Sequence, residues 1–185
     1  MRFNVIKKRY AMADDTKKCV GCSACVIACK EENRVPLTEF RSWVETETRG
    51  TYPSLAMEIR RETCEHCTDA ACVSNCPTGA SFYGKGGVVL VDHDLCTGCK
   101  ACIASCPYNA RYIHPDGYAD KCTFCLHRVE KGLQPACAAA CPTQSLTFGD
   151  VNDPASAITK LLRQRRWKQL KTDAGTKPNL YFLEA

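Results

Sequence analysis

The chain has 185 residues, 16 of them Cys, and a formal net charge of +5 at pH 7. This length allows one compact domain or two small ones. Hydrophobic residues make up 45% of the chain, but that count includes the cysteines. The ordinary apolar core is therefore thin, and something else must hold the chain together. No run of the sequence approaches the roughly 20 apolar residues of a membrane-spanning helix, so we expect no transmembrane segment.

The N-terminal segment Met1–Tyr10 is basic. It lacks the apolar stretch of a secretory signal, and no twin-arginine pair precedes such a stretch. We therefore expect this chain to carry no export signal of its own.

The cysteines form four groups of four. The first and third groups have the C-x2-C-x2-C-x3-C spacing of bacterial ferredoxins. The second group widens its second gap to four residues, and the fourth group widens it to eleven. Three groups end in Cys-Pro, whereas the first ends in Cys29-Lys30. In chain order the groups are Cys19, Cys22, Cys25, Cys29; Cys64, Cys67, Cys72, Cys76; Cys96, Cys99, Cys102, Cys106; and Cys122, Cys125, Cys137, Cys141.

Disulfide bonds and zinc sites are the alternatives to iron–sulfur clusters. Disulfides suit a secreted chain, and the two cysteines of a C-x2-C pair are poor partners for each other. Zinc usually takes two separated C-x2-C knuckles, and a third Cys three residues on is hard to place in a tetrahedral site. Four repeats of the ferredoxin pattern favour iron–sulfur clusters over both.

The spacing also predicts which cysteines share a cluster. Three thiolates within about seven residues wrap one face of a cubane, and the fourth Cys binds a different cluster, as in two-cluster ferredoxins. We expect that fourth Cys to begin a short helix, because the Pro after it suits a first helical turn. Four [4Fe–4S] clusters follow: cluster A on Cys19, Cys22, Cys25, Cys141; cluster B on Cys122, Cys125, Cys137, Cys29; cluster C on Cys64, Cys67, Cys72, Cys106; and cluster D on Cys96, Cys99, Cys102, Cys76.

The last three groups are each followed by a short β-prone segment, namely Ser81–Tyr83, Arg111–Ile113 and Leu146–Phe148. A cysteine loop, a short helix and a strand make one half of a ferredoxin unit. The sequence therefore predicts an α+β fold of two bacterial-type ferredoxin-like modules, one inserted in the other. The inner module spans 63–120, and the outer module spans 10–62 and 121–150.

Two further segments complete the predicted fold. Residues 42–48 and 54–60 alternate in polarity around a turn at Arg49–Pro53, which predicts a β-hairpin insert at about 41–60. After Asp153-Pro154, we expect an amphipathic helix as far as about Leu170. The apolar tail around Leu180–Leu183 should then dock on the body or on a partner. Residues 151–185 thus form a C-terminal helix and a docking tail.

His66 and Arg128 each allow two interpretations. His66 lies between Cys64 and Cys67, where it either has a backbone partner in the loop or forms a hydrogen bond to a cluster. Arg128 lies in the insert of the fourth group, where it either has a functional role, in offsetting cluster charge or contacting the partner, or sits on a solvated helix face.

These motifs resemble the four-cluster electron-transfer (beta) subunit of molybdopterin oxidoreductases, especially the iron–sulfur subunits of polysulfide and thiosulfate reductases. The resemblance is carried by Cys19-Val20-Gly21-Cys22, Cys76-Pro77-Thr78-Gly79-Ala80, Pro107-Tyr108-Asn109-Ala110-Arg111-Tyr112 and Lys121-Cys122-Thr123-Phe124-Cys125-Leu126-His127-Arg128. It covers the chain from about Tyr10 to the tail.

The resemblance implies an electron carrier without catalytic residues of its own. Electrons would pass between an integral membrane quinone-binding subunit and a large molybdopterin (Mo or W) catalytic subunit of a respiratory reductase. The chain would then lie peripherally on the inner membrane, on the periplasmic face if it is exported together with the catalytic subunit. The alternative is a cytoplasmic polyferredoxin relay of a formate dehydrogenase or hydrogenase system, which would behave as a stable monomer.

The charge of the clusters changes the meaning of the basic composition. Four oxidised clusters with their thiolates carry about −2 each, which converts the formal charge of +5 to roughly −3. The Lys and Arg residues thus compensate the clusters, and we expect no nucleic-acid partner.

Overall fold

A computed structural model of the chain describes residues 8–184. Within that range short helices and strands follow one another, in agreement with the predicted α+β class. The α-helices are α1 Ala24–Asn33, α2 Ala71–Ser74, α3 Ala101–Ala104, α4 Leu126–Val129, α5 Ala136–Ala139 and α6 Ala157–Gln164. The strands are β1 Tyr10–Asp15, β2 Ser42–Thr51, β3 Ser54–Thr63, β4 Ser81–Tyr83, β5 Val89–Val91, β6 Tyr112–Ile113, β7 Ala119–Asp120, β8 Leu146–Asp150, β9 Trp167–Lys168 and β10 Leu180–Leu183. Two 3₁₀ turns cover Lys85–Gly87 and Thr172–Ala174.

The largest sheet has four strands in the order β8-β1-β10-β9. Strand β1 pairs antiparallel with β8 and parallel with β10. Side chains alternate across the sheet, so Met12, Phe148 and Phe182 face the main core, which also contains several cysteines. On the opposite face Ala13 packs with Ile158 of α6 in a second apolar cluster. The sheet thus separates the cysteine-rich core from the C-terminal helix.

The C-terminal helix is shorter than the sequence predicts. We expected it to run to about Leu170, but α6 ends at Gln164 and the chain then forms β9. Pairing with the sheet edge explains the difference, because Lys168 pairs with Phe182 in the sheet. The rings of Trp167 and Tyr181 also pack edge to face, with centroids 4.9 Å apart. Tertiary contacts therefore override the helical preference of this segment. The apolar tail is buried on the body as β10.

The predicted β-hairpin is present and longer than expected. Strands β2 and β3 pair in register from Ser42 opposite Thr63 to Thr51 opposite Ser54. The turn is reduced to Tyr52-Pro53. The hairpin is buried where it leaves the body, at Ser42 and Thr63, and exposed at its tip. Only the base of the hairpin, where β2 begins and β3 ends, therefore packs against the cysteine-rich core.

The short helices of groups two to four begin earlier than the sequence predicts. We expected each fourth Cys to start a helix, but α2, α3 and α5 end just before Cys76, Cys106 and Cys141. Three residues after each of these cysteines the backbone is left-handed, at Gly79, Asn109 and Gln144. A left-handed residue cannot continue an α-helix, so the Cys-Pro segment turns instead and enters the following strand.

Group one behaves differently because Lys30 replaces that proline. Helix α1 continues past Cys29 to Asn33. The Lys30 ammonium then donates to the carbonyls of Pro36 at 2.8 Å and Glu39 at 2.6 Å. The departure from the Cys-Pro pattern thus lengthens one helix and anchors the loop that leads to the hairpin.

Candidate metal centres

The sixteen thiols gather in four sets of four, which we call quartets A to D. Small cavities lie between the thiols of quartets A, C and D. In quartet B, the thiols of Cys122, Cys125 and Cys137 act electrostatically on that of Cys29. The quartets are A, with Cys19, Cys22, Cys25, Cys141; B, with Cys122, Cys125, Cys137, Cys29; C, with Cys64, Cys67, Cys72, Cys106; and D, with Cys96, Cys99, Cys102, Cys76.

Each quartet draws three thiols from one group and the fourth from another group. Cys141, for example, lies 116 residues after Cys25, yet it lines the same cavity. The sets brought together are those that the sequence spacing predicts as ligand sets. None of the sixteen thiols, all within residues 8–184, forms a disulfide bond.

The quartets follow one another in the order A, B, C, D. Cys25 of quartet A and Cys137 of quartet B lie within electrostatic range of each other. Cys122 of quartet B acts in the same way on Cys64 of quartet C. Quartet C in turn meets quartet D, because Cys72 acts on Cys102. The four sites therefore form a succession with two inner and two outer members.

Exposure distinguishes the outer from the inner quartets. Cys22 of quartet A and Cys99 of quartet D are exposed. The thiols of quartet B are all buried, and those of quartet C are buried or half-buried. The succession thus reaches the protein surface at its two ends.

Burial raises the pKa of eight of the sixteen thiols above the usual value. It raises the pKa of Cys29 and of Cys67 to about 12, and that of Cys64 to about 11. Because a thiolate is the metal ligand, these cysteines must release protons when they bind iron.

Two thiols that follow the short helices behave in the opposite way. Burial raises the pKa of Cys76, but hydrogen bonds outweigh it and the pKa falls below its usual value. The Ser81 amide donates to its Sγ at 3.4 Å. Cys141 has the same arrangement, with the Ser145 amide 3.3 Å from its sulfur and a lowered pKa. Such amide donors stabilise negative charge on sulfur.

Three buried cations, which sequence reasoning missed, lie between the quartets. They are Arg61, Arg111 and Lys121, exposed by 2%, 7% and 1%. Burial opposes the charged form of Arg61, but the thiols of quartets A and B raise its pKa overall. Burial lowers the pKa of Lys121, whose ammonium donates to the carbonyls of Val89 and Cys122. One sequence signal was available, because Lys121 directly precedes Cys122.

His66 and Arg128 bind protein groups. The His66 Nδ1 accepts from the Val89 amide at 3.1 Å, and its ring stacks on Phe124 with centroids 3.8 Å apart. Of its two interpretations, the one with a backbone partner is confirmed. Arg128 donates to the Glu32 carboxylate at 2.6 Å and to the Gln134 carbonyl at 2.9 Å. Its guanidinium thus fixes the fourth-group insert against α1.

The donor chemistry of the quartets fits [4Fe–4S] clusters. Each quartet has four thiols, and those of quartets A, C and D line a cavity instead of meeting at a point. Within residues 8–184, no three His, Cys, Asp or Glu side chains converge as ligands of a single ion. The thiolates of a cubane bind four different irons and need this wider arrangement.

Comparison with protein families assigns the same class to the chain. Residues 18–80 and residues 55–151 each match the 4Fe-4S dicluster domain. The two matches overlap at 55–80 and together include all sixteen cysteines. The chain is therefore an iron–sulfur protein with two ferredoxin-like dicluster domains, which correspond to four clusters of the 4Fe–4S type.

Curated relatives narrow the class further. Protein NrfC homolog of Haemophilus influenzae is 48% identical over 180 residues, covering 95% of this chain and 80% of that protein. A polysulfide reductase chain of Wolinella succinogenes is 44% identical over 180 residues, covering 95% of this chain and 94% of that protein. A tetrathionate reductase subunit of Salmonella typhimurium is 40% identical over 183 residues, covering 96% and 73%. This protein belongs to the family of [4Fe–4S] electron-transfer subunits of molybdopterin oxidoreductases, which confirms the resemblance seen in its cysteine motifs.

The α-helices of residues 8–184 are four to ten residues long. In the part of the chain that the structure describes, none has the length and apolar character needed to cross a membrane.

Proposed function

We propose that the chain holds four [4Fe–4S] clusters and passes electrons along them within a respiratory reductase such as polysulfide or thiosulfate reductase. Its partners are an integral membrane quinone-binding subunit and a large molybdopterin catalytic subunit. When bound, each cluster accepts and releases one electron. The chain itself has no catalytic residues, and the substrate reacts on the catalytic subunit.

The ligand sets of this proposal are the four quartets. Quartets A, B, C and D bind clusters A, B, C and D, respectively. Each quartet combines the three leading thiols of one group with the last thiol of another, which supports ligand exchange between paired groups. Because all sixteen cysteines are ligands, no thiol is left to act as a nucleophile.

The observation that carries the proposal is the succession of quartets with exposed thiols at its two ends. Electrons need a donor and an acceptor surface, and Cys22 and Cys99 lie where two partners can approach clusters A and D. The inner quartets lie among buried side chains such as Phe124 and Val89. Exclusion of water there tunes the potentials of the inner clusters and keeps electrons on the path.

The nested arrangement of modules is part of the same proposal. The inner module, residues 63–120, holds clusters C and D, and the outer module, residues 10–62 and 121–150, holds clusters A and B. Pairing of β1 with β8 supports this division, since it joins the two distant parts of the outer module. The Arg41 guanidinium connects the modules through hydrogen bonds of 2.8–3.0 Å to the Asp120 carboxylate.

We place the chain peripherally on the inner membrane, on the periplasmic face, as a subunit exported together with its catalytic partner. Several relatives carry names of reductase chains or subunits, which supports assembly into a larger complex. The cytoplasmic side of the membrane is the alternative location.

Anaerobic purification from the native host tests the proposal. We expect about 16 iron and 16 sulfide per chain, coupled paramagnetic resonance signals after reduction, and co-elution with a molybdopterin subunit. Zinc in place of iron, or fewer clusters, would contradict the cofactor assignment. A stable monomer with all four clusters and no pterin partner would instead indicate the polyferredoxin relay.

A further inference from the structure

One buried arginine lies between the two quartets of each module. In the outer module, Arg61 lines the cavity of quartet A. The thiols of Cys122 and Cys137, in quartet B, also act on its guanidinium. The side chain is among the largest that are fully buried in the described residues. Its charge is therefore held between two cluster sites and away from solvent.

Arg111 occupies the corresponding place in the inner module. Its Nη2 donates to the Cys72 sulfur of quartet C at 2.9 Å. The Cys102 thiol of quartet D also acts electrostatically on this guanidinium. Its Nη1 donates to the Ser81 hydroxyl at 2.9 Å, which fixes the orientation of the side chain. Arg111 thus interacts with thiols of both quartets in its module.

Neither guanidinium forms an ion pair with a carboxylate in residues 8–184, where Arg41 by contrast pairs with Asp120. The Nε and Nη2 atoms of Arg61 have no hydrogen-bond partner among the described residues. A buried charge without a partner is strongly destabilising. The buried carboxyl groups of Asp14 and Glu65 act electrostatically on Arg61 from beyond ion-pair distance, and the two cluster sites beside each arginine would supply further negative charge.

We propose that Arg61 and Arg111 set the reduction potentials of the clusters, each acting on both clusters of its own module. The inference rests on the proposed function, because it requires four bound clusters. An electron adds negative charge, so a fixed positive charge nearby stabilises the reduced form and raises the potential. Arginine remains protonated in proteins, so this charge does not depend on pH.

The same charge offsets repulsion between the two clusters of a module. When one cluster is reduced, its added negative charge disfavours reduction of the other. A cation between them attracts both added charges and allows the second electron to enter at a higher potential. The arginines therefore help each module to hold two electrons.

Neutral variants test this role in the holoprotein. The midpoint potentials are measured by redox titration followed by paramagnetic resonance. A unit charge about 10 Å away, at an effective dielectric constant of about 20, changes an equilibrium more than tenfold. Arg111→Met should therefore lower two of the four midpoint potentials by at least about 59 mV. This corresponds to a tenfold fall in the ratio of reduced to oxidised cluster at a fixed applied potential. Arg61→Met should lower the other two.

Three further variants separate charge from other effects. Arg111→Lys keeps the charge and should shift the potentials by less than half as much. Arg111→Gln keeps a donor for Cys72 but loses the charge, so it should reproduce the fall seen with methionine. Arg163→Met removes an exposed charge on α6 and should leave all four potentials unchanged.

Several outcomes would overturn the inference. They are equal shifts in the lysine and methionine variants, a fall of the same two potentials in the Arg61 and Arg111 variants, and no shift at all. The iron content of the unmodified protein distinguishes these results from failure of the proposed function. If the unmodified protein contains well below about 16 iron per chain, the proposed four-cluster function is already refuted, and the inference fails with it. If a methionine variant loses iron, the glutamine and lysine variants decide the question.

Discussion

Exchange of the last thiol between groups can be tested by replacing Cys106, the final cysteine of group three, with serine. Quartet C contains Cys106, whereas quartet D contains Cys76 in its place. Cys106→Ser should therefore destroy cluster C, although Cys106 belongs in sequence to the group that binds cluster D. Cys76→Ser is the matched control and should destroy cluster D.

The magnitude of the effect follows from the four iron atoms of each [4Fe–4S] cluster. Loss of one cluster removes about 4 of about 16 iron atoms per chain, a quarter of the total. Both variants lose the same amount, so iron content alone does not distinguish them. The order A, B, C, D does, because it determines which remaining cluster loses its neighbour.

Paramagnetic resonance of the reduced protein tests that order, because it detects magnetic coupling between adjacent clusters. Without cluster C, cluster D has no adjacent cluster and should give an uncoupled signal of about one spin per chain. Without cluster D, clusters A, B and C remain adjacent and no uncoupled signal should appear. If Cys76→Ser gives the uncoupled signal and Cys106→Ser does not, the ligand exchange is refuted.

The activity of the assembled complex provides a second assay. Cluster C lies inside the succession, so Cys106→Ser should stop quinol-linked turnover while dye-linked activity of the catalytic subunit survives. If dye-linked activity also disappears while the complex stays intact, the chain is more than an electron carrier.

Three other predictions concern stability and cluster loading. Arg41→Met breaks the buried ion pair with Asp120 and should lower the free energy of unfolding by about 3–5 kcal/mol in urea titrations. Phe182→Ala leaves a cavity in the main core, because the ring is fully buried, and should cost about 3–5 kcal/mol in the same assay. Burial raises the pKa of Cys67 to about 12, so cluster loading, followed by visible absorbance, should accelerate from about pH 7 to about pH 9 as proton release becomes easier.

Each of these predictions has a contradicting result or a control variant. The double variant with Arg41→Met and Asp120→Asn tests the ion pair. If it is no more stable than Arg41→Met, and if Arg41→Met and Asp120→Asn alone each lower the free energy of unfolding by less than about 1 kcal/mol, the pair behaves as a surface ion pair. Leu37→Ala, at a side chain that is 92% exposed, is the control for Phe182 and should change stability little. A loading rate that falls as pH rises would show that thiol deprotonation does not limit cluster assembly.

The structure brings together the thiols that the cysteine spacing groups, and much of this grouping is local. The three leading thiols of each group lie within one stretch of at most 16 residues, so their spacing is visible in sequence. The same holds for the alternating hairpin, since pairing between adjacent segments depends on nearby residues. The fourth member of each quartet was inferred from the known exchange in ferredoxins, and its place beside the other three is a tertiary contact.

Features that depend on distant contacts were missed or misplaced. The segment after Gln164 has a helical pattern, yet Trp167 and Lys168 pair with the edge of β10. Arg61 and Arg111 look like ordinary polar residues in sequence, and only packing places them between thiols that are far apart along the chain. A sequence shows which charges exist, but burial decides which of them act on a cluster.

The cysteine pattern thus indicated the chemical class of the protein and the number of its clusters, and the motifs around the cysteines carried the resemblance to its family. These follow from ligand type and local spacing, which short-range geometry fixes. The order of the quartets, the exposure of Cys22 and Cys99 at the two ends, and the buried cations between them became visible only in the folded chain. Such features arise from long-range packing, because the dielectric and the distance that control electron transfer exist only once the chain has folded.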